Sequence, residues 1–215
     1  MVPQSILAPL CAAGLVLVPS EPPERGFENG VFTSERFPLI RMKVDPAFTY
    51  IGSVTFELKS IALVDRHIFV DADGERINRM IVLQFEGFLD NNDHTYLWGV
   101  TNPISLGEHD YKHNTFFFDT SRAIAENPGA ETDHTVAFLE RERYQLASEQ
   151  MVSRFARVVD AARRHELIIF YHENVVATGH SLAEISEDGG ILPQHIAIAE
   201  ALTRRSLKSF SVLDD

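Results

Sequence analysis

Two kinds of apolar pattern run along this chain, and one gives way to the other a little past its middle. In the first half the pattern alternates. Between Phe48 and Ser60, Tyr50, Gly52, Val54, Phe56 and Leu58 fall on one side, with Ser53, Thr55, Glu57 and Lys59 on the other. That is the period of a strand with one face against a core. "IALVDRHIFV", "INRMIVLQFEGFL" and "HTYLWGV" follow, separated by "DADG" and "DNND". Asp73–Gly74 and Asn91–Asn92 suit the positive φ angles of tight hairpin turns. "RFPLIRMKV" reads as an earlier strand, with Pro38 confining its start to an edge. "YKHNTFFFDT" reads as a later one, after a turn at Gly107.

Two-residue turns would place Val64 opposite Leu83, Leu83 opposite Val100, and Phe85 opposite Trp98. One face then carries Val64, Ile68, Ile81, Leu83, Phe85, Tyr96, Trp98 and Val100. The other carries Asp65, His67, Gln84 and Glu86, mixed with Met80, Val82 and Leu97. A two-residue turn at Lys59–Ser60 puts Val54 and Phe56 on the polar side. A one-residue slip flips a whole strand, so the pattern implies either a bulge near Ser60 or a sheet covered on both faces. In the second case the Asp65, His67, Gln84 and Glu86 face lines a lumen.

The second half reads as mainly helical. "SRAIAENPGAETD" is a loop or short helix broken at Asn127–Pro128–Gly129, and "HTVAFLERERYQ" is a helix. "SEQMVSRFARVVDAARRH" carries Met151, Phe155, Val158, Val159 and Ala162 at helical spacing. Arg163, Arg164 and His165 stand where a helix dipole favours cations. A long helix over Ser148 to His165 is therefore expected. "ELIIFYHENVV" is a strand, apolar on both sides until its end. Leu167, Ile169, Tyr171 and Glu173 face one way, and Ile168, Phe170, His172 and Asn174 the other. Ser181 to Glu184 reads as a capping box, Pro193 starts a last helix through Arg205, and "LKSFSVLD" returns as an edge strand.

This order gives an α+β fold: a curved antiparallel sheet, a meander of about five to seven strands, packed against a long helix and two or three shorter ones. Residues 1–30 form an apolar N-terminal segment and linker, and residues 31–215 form a single domain. The apolar run from Ile6 to Val18 falls short of the roughly 20 residues of a membrane span, so no integral span is expected. It has the length of a signal-peptide core, but it lacks a basic start and Pro9 interrupts it. Export to the periplasm or beyond, and a cytoplasmic chain with an apolar tail, both remain open.

Composition narrows the chemistry. The net charge of −12 repels nucleic acid and anionic membrane surfaces. The single cysteine, Cys11, excludes an intramolecular disulfide and a cysteine zinc site. His109 and His113 are four apart, but on a strand that spacing spans about 13 Å, too wide for one metal. No metal and no cofactor are indicated, and no P-loop, dinucleotide fingerprint or nucleophile elbow is present. Arg154, Arg157 and Arg164 could hold an anion, or simply form a solvated face paired with Glu149 and Asp160.

The candidate ligand-binding residues are Tyr171, Glu173, Trp98, Tyr96, Glu86 and His67. The strand end at "YHEN" can line a pocket mouth, and a histidine near carboxylates can move protons if buried. Three readings follow. The first is a binding module for a small hydrophobic or amphipathic ligand, held in a mainly apolar cavity between the sheet and the long helix. It rests on the aromatic supply at Tyr50, Phe56, Phe85, Tyr96, Trp98, Phe116, Phe118 and Tyr171. The second is an assembly protein pairing through its sheet. The third is an acid–base enzyme using Glu86, His67, Tyr171 or Glu173.

Overall fold

A computed structural model describes residues 24–101 and 103–214. Residues 1–23 of the expected N-terminal segment lie outside the described residues, while the part of it expected as a linker forms a strand, Arg25–Glu28, that pairs into the domain.

The chain forms a seven-stranded antiparallel sheet with a layer on each face. Its order is β4-β5-β6-β10-β9-β8-β7. The strands are β4 (Thr49–Leu58), β5 (Ala62–Asp73), β6 (Arg76–Phe88), β7 (Pro103–Leu106), β8 (His109–Asp119), β9 (Glu149–Val158) and β10 (His165–Asn174). A four-stranded sheet covers one face. It orders β1 (Arg25–Glu28), β2 (Val31–Ser34), β3 (Ile40–Val44) and β13 (Phe210–Leu213). Helix α4 (Ile196–Ser209), entered through a short 3-10 turn at Pro193–His195, shares that side. Helices α1 (Thr120–Glu126) and α2 (Glu131–Arg141) belong to the opposite side. The short helix α3 (Leu182–Ile185) and the small hairpin of β11 (Ser186–Glu187) and β12 (Gly190–Ile191) complete the chain.

The α+β class, the antiparallel sheet and the helix-plus-edge-strand ending agree with the sequence reading. The long helix does not fall where expected. Residues Glu149–Val158 are strand β9, and the longest helix among the described residues is α4. The cause is the burial of β9 on both faces. Met151 and Phe155 point to one core, Val152 and Ala156 to the other. A spacing of four is common to a helix face and a strand side, so a doubly covered strand imitates a helix. The basic end of the supposed helix is a tight turn instead. Asp160 accepts from the backbone N–H of Arg164 (2.9 Å) and of His165 (3.0 Å), and Arg163 sits at φ 58°.

"HTYLWGV" is not a strand either. The place beside β6 is taken by β10, with Leu167 opposite Phe85 and Ile169 opposite Leu83. Residues 92–101 are instead pinned as a loop by side chains. Arg164 donates to the carbonyls of Leu89 (2.8 Å) and Asn92 (3.0 Å), and Arg163 donates to those of Tyr96 (2.6 Å) and Trp98.

The register differs from two-residue-turn arithmetic. Lys59 and Ser60 both take positive φ in a wider β4–β5 turn that pairs Leu58 with Ala62. Gly52, at φ +116°, sits at a bulge in β4 that a side chain would strain. The β5–β6 turn centres on Gly74–Glu75, with Asp73 opposite Arg76, and a second irregularity at Asp71/Ala72 adds one more residue, so Val64 lies opposite Glu86 rather than Leu83. That odd shift splits the expected polar face. Asp65 and His67 point toward the four-stranded sheet, alongside Phe85. Gln84 and Glu86 point toward α2, alongside Arg66. Both faces are covered by apolar clusters, which was one of the two alternatives raised by the pattern.

Candidate functional site

The face toward α2 carries a cleft that gathers buried polar groups. At one end Phe138 and Leu139 of α2 close the apolar cluster, and at the other the 92–101 loop folds over. Between them opens a cleft of about 450 Å³, whose walls include Arg66, Glu86, Phe116, Phe118, Glu131, Arg154, Glu166, Phe170 and His172.

Strand alternation delivers these residues to one side. In β10, Glu166, Ile168, Phe170 and His172 lie on it, and Glu166 is the direct partner of Glu86 on β6. In β9 the matching residue is Arg154, opposite Phe170.

A hydrogen-bonded chain crosses the cleft. The Arg66 guanidinium donates to Gln84 Oε1 (2.6 Å) and to Thr135 Oγ1 (2.5 Å) and pairs with Glu131 (3.4 Å). The Gln84 amide donates to Glu86 Oε2 (2.7 Å), and the Tyr96 hydroxyl donates to Glu86 Oε1 (2.8 Å). The network therefore links α2, two strands and the loop. Burial raises the Glu86 carboxyl above the ordinary range, against its bonds from Tyr96 and Gln84. Burial, then the negative charge of Glu86, raises the Tyr96 hydroxyl.

Glu166 stands outside this network. It is 5% exposed, and its Oε2 is buried without a hydrogen bond. The nearest cation, Arg154, is 3.7 Å away. Burial, followed by repulsion from Glu86, pushes its carboxyl up to about 8. Glu166 is thus neutral at pH 7 and able to donate a hydrogen bond. His172 is similar in kind. Its Nδ1 is buried without a partner, and burial, then the Arg66 charge, pushes the ring down to about 3, so it is neutral too. Two uncharged polar groups with free hydrogen-bonding capacity share a cleft walled by three aromatic rings.

The six residues expected from sequence are divided among different places. Glu86 and Tyr96 meet at this cleft. Trp98 lies farther along the same loop, with the Lys112 ammonium 5.3 Å from its ring centre. Tyr171 and Glu173, on one side of β10 as expected, form a hydrogen-bonded pair at 2.5 Å, but on the opposite face of the sheet. There Arg205 of α4 holds Glu173 by two bonds of 2.7 and 2.6 Å. Burial, then the bond to Glu173, pushes the Tyr171 hydroxyl up to about 12. The arrangement is a strap between α4 and β10. His67 is also on that face. Its ring bonds the Tyr50 hydroxyl (2.9 Å) and Asp65 (3.3 Å), and Asp65 is paired with Arg25 of β1 at 2.6 Å. It is a clasp for the N-terminal hairpin, not a partner of Glu86.

The clasp carries a testable pH signature. Burial opposes the Asp65 charge, but His67 and Arg25 outweigh it and hold the carboxyl down at about 2, against an ordinary 3.8. A depressed folded-state value stabilises the fold above the ordinary value, and that contribution disappears as the pH falls toward about 2. Asp65→Asn is expected to cost about 2 kcal/mol near neutrality. It should also flatten the acid limb of urea-denaturation stability. An unchanged acid limb would refute the clasp.

Glu166, Arg66, Glu131, His172 and Phe170 were not among the expected site residues, and Arg154 was considered only with Arg157 and Arg164 as an anion holder or a solvated face. One signal was visible for Glu166: a carboxylate that opens the apolar run Leu167–Phe170 and stands on the same strand side as Ile168 and Phe170. Arg66 and Arg154 could not be placed without the register.

In comparisons with known proteins, no family model, no curated protein and no solved structure matches this chain. Among the described residues no three His, Cys, Asp or Glu side chains are grouped to hold a metal ion, and no helix is long and apolar enough to cross a membrane.

Proposed function

We propose that the protein binds a small amphipathic ligand in the cleft between the seven-stranded sheet and α2. The observation that carries this reading is the buried, unpartnered Glu166 oxygen on the wall of an open cleft of about 450 Å³. Binding sites for small molecules are clefts of about 300–1,000 Å³ with apolar walls and a few convergent polar groups. Phe116, Phe118 and Phe170 supply the apolar wall. Neutral Glu166 and the Arg154 guanidinium supply donors, which selects a head group with acceptor oxygens, such as an amide, ester or carboxyl. The cavity differs from the mainly apolar one expected from sequence, and no helix over 148–165 closes it.

The test is a thermal-shift series at neutral pH with decanamide, decanoate and decylamine. Decanamide or decanoate should raise the melting temperature and decylamine should not. Thr132→Trp, which narrows the cleft from α2, should abolish the effect. No shift with either acceptor-headed probe, or an undiminished shift in Thr132→Trp, would refute the assignment.

A second reading has one specific observation in its favour. Glu86 and Glu166 are direct cross-strand partners in different hydrogen-bonding environments, a layout that serves proton transfer in acid–base enzymes. Chemical turnover of a bound probe, lost in both Glu166→Gln and Glu86→Gln, would select it.

A further inference from the structure

A second cleft lies where β8 and β9 meet the 92–101 loop. It measures about 270 Å³ and is lined by Trp98, Gly99, His109, Arg157 and Arg163 among others. A smaller recess of about 50 Å³ shares its Arg157 and His109 walls and adds Tyr111 and Arg41. We propose that this corner binds a small organic anion, a carboxylate or phosphate on a flat apolar body, with its charge on Arg157 and Tyr111 and its body against Trp98.

Three observations support this. First, two buried donors here have no acceptor. Tyr111 is completely buried and its hydroxyl has no hydrogen-bond partner, and the same holds for Arg157 Nε. The Arg157 guanidinium lies 5.6 Å from the centre of the Tyr111 ring; burial raises the Tyr111 hydroxyl and Arg157 opposes that larger effect, so the two groups are neighbours within reach of one anion. Buried donors without acceptors are rare, and each calls for an explanation such as an absent ion or ligand.

Second, the charge is unbalanced locally. The chain carries −12 overall, and the buried arginines elsewhere have carboxylate partners: Arg25 with Asp65, Arg66 with Glu131. Among the described residues Arg41, Lys112, Arg157 and Arg163 form no ion pair. Glu108, Asp110 and Asp214 stand on the rim, and Asp110 is engaged by Ser105 at 2.7 Å. These rim carboxylates repel an extended polyanion and leave room for one small charged group.

Third, the wall is already in place. Arg163 anchors the loop through the carbonyls of Tyr96 and Trp98, and the Tyr96 N–H returns a bond of 2.8 Å to the Arg163 carbonyl. The Trp98 backbone is thereby fixed, and its partly buried side chain lines the opening. A pre-set aromatic surface beside an arginine fits a planar anion.

Trp98 is the only tryptophan of the chain, so its fluorescence reports on this cleft directly. The experiment titrates the whole protein with phenyl phosphate and, separately, with benzoate, at constant ionic strength set by sodium chloride. A saturable change in emission is expected with at least one probe. Saturation by phenyl phosphate assigns a phosphate ligand and saturation by benzoate a carboxylate, and either result supports the site. Arg157→Gln should raise the dissociation constant by about tenfold or more, the usual scale for a charge-assisted bond. The exposed control Arg204→Gln should leave it unchanged. Tyr111→Phe keeps the buried volume and removes the orphan hydroxyl, so it should fold with undiminished thermal stability and still bind several-fold more weakly. No saturable change with either probe would overturn the proposal. So would wild-type affinity in both Arg157→Gln and Tyr111→Phe.

Discussion

Replacing Glu166 with glutamine should make the protein more stable, and increasingly so as the pH rises. The folded-state carboxyl is raised to about 8 from an ordinary 4.5. Between those values the folded state holds a proton that the unfolded chain releases. The contribution is therefore fully present below about 4.5 and is lost as the pH climbs through about 8. Glutamine reproduces the neutral acid at every pH and does not share the loss. The stability gap between variant and wild type should be near zero in mild acid, open by up to about 1.4 kcal/mol per pH unit, and level off above about pH 8 at a few kcal/mol. The variant keeps some pH dependence, because Glu86 is displaced in the same direction by its own burial. Urea denaturation of both proteins from mild acid to mild alkali measures the gap. A gap that is constant with pH would mean that Glu166 is ionised and solvated, and the cleft chemistry built on its neutrality would fall with it.

The second large effect belongs to Arg66. Its side chain is 8% exposed and binds Gln84, Thr135 and Glu131 at once. Arg66→Met keeps much of the apolar stem but removes the only charge that bridges α2 to the sheet within this network. It leaves the carboxylates of Glu131 and Glu86 without their shared cation. Removing one partner of a buried pair costs about 3–5 kcal/mol, and the partly exposed Glu131 places the expected value toward the lower end. Arg66→Lys keeps the charge but cannot bond Gln84 and Thr135 together, so it should recover only part of the loss. In both variants hydrogen exchange should accelerate first in α2, which has few other polar ties to the sheet. Uniform acceleration across the domain would argue against the network as the specific anchor of α2.

The sequence pattern conveyed the class of the fold through its most local signals. Alternation in β4 holds from Gly52 to Leu58, but the bulge turns Tyr50 to the other face, and the hairpin turn after β5 falls one residue late, at Gly74–Glu75. The break before α2, the Ser181–Glu184 capping box and the α4–β13 ending stand as read. What failed was non-local. Whether Met151 and Phe155 mark a helix or a strand depends on how many layers cover them, and one residue's neighbours do not reveal that. The wide turn at Lys59–Ser60 and the shift at Asp71/Ala72 each alter the register, and together they decide which side chains share a face. Hence Glu86 and Tyr96, both singled out from the sequence, meet at the cleft, whereas the arrival there of Arg66, Arg154 and Glu166 depends on the β5–β6, β9–β10 and β6–β10 pairings. Tyr171 and Glu173 share a strand side as the alternation implied, and Arg205 makes the pair a structural strap. That third residue comes from α4, 32 positions away.

The claim that the cleft beside α2 holds a ligand is tested most directly by native mass spectrometry of the freshly purified protein, with the same preparation run denatured. The account predicts a bound species of small-molecule mass that is absent from the denatured spectrum and depleted in Thr132→Trp. A chain that flies bare, or one whose extra mass is retained in full by Thr132→Trp, would contradict it.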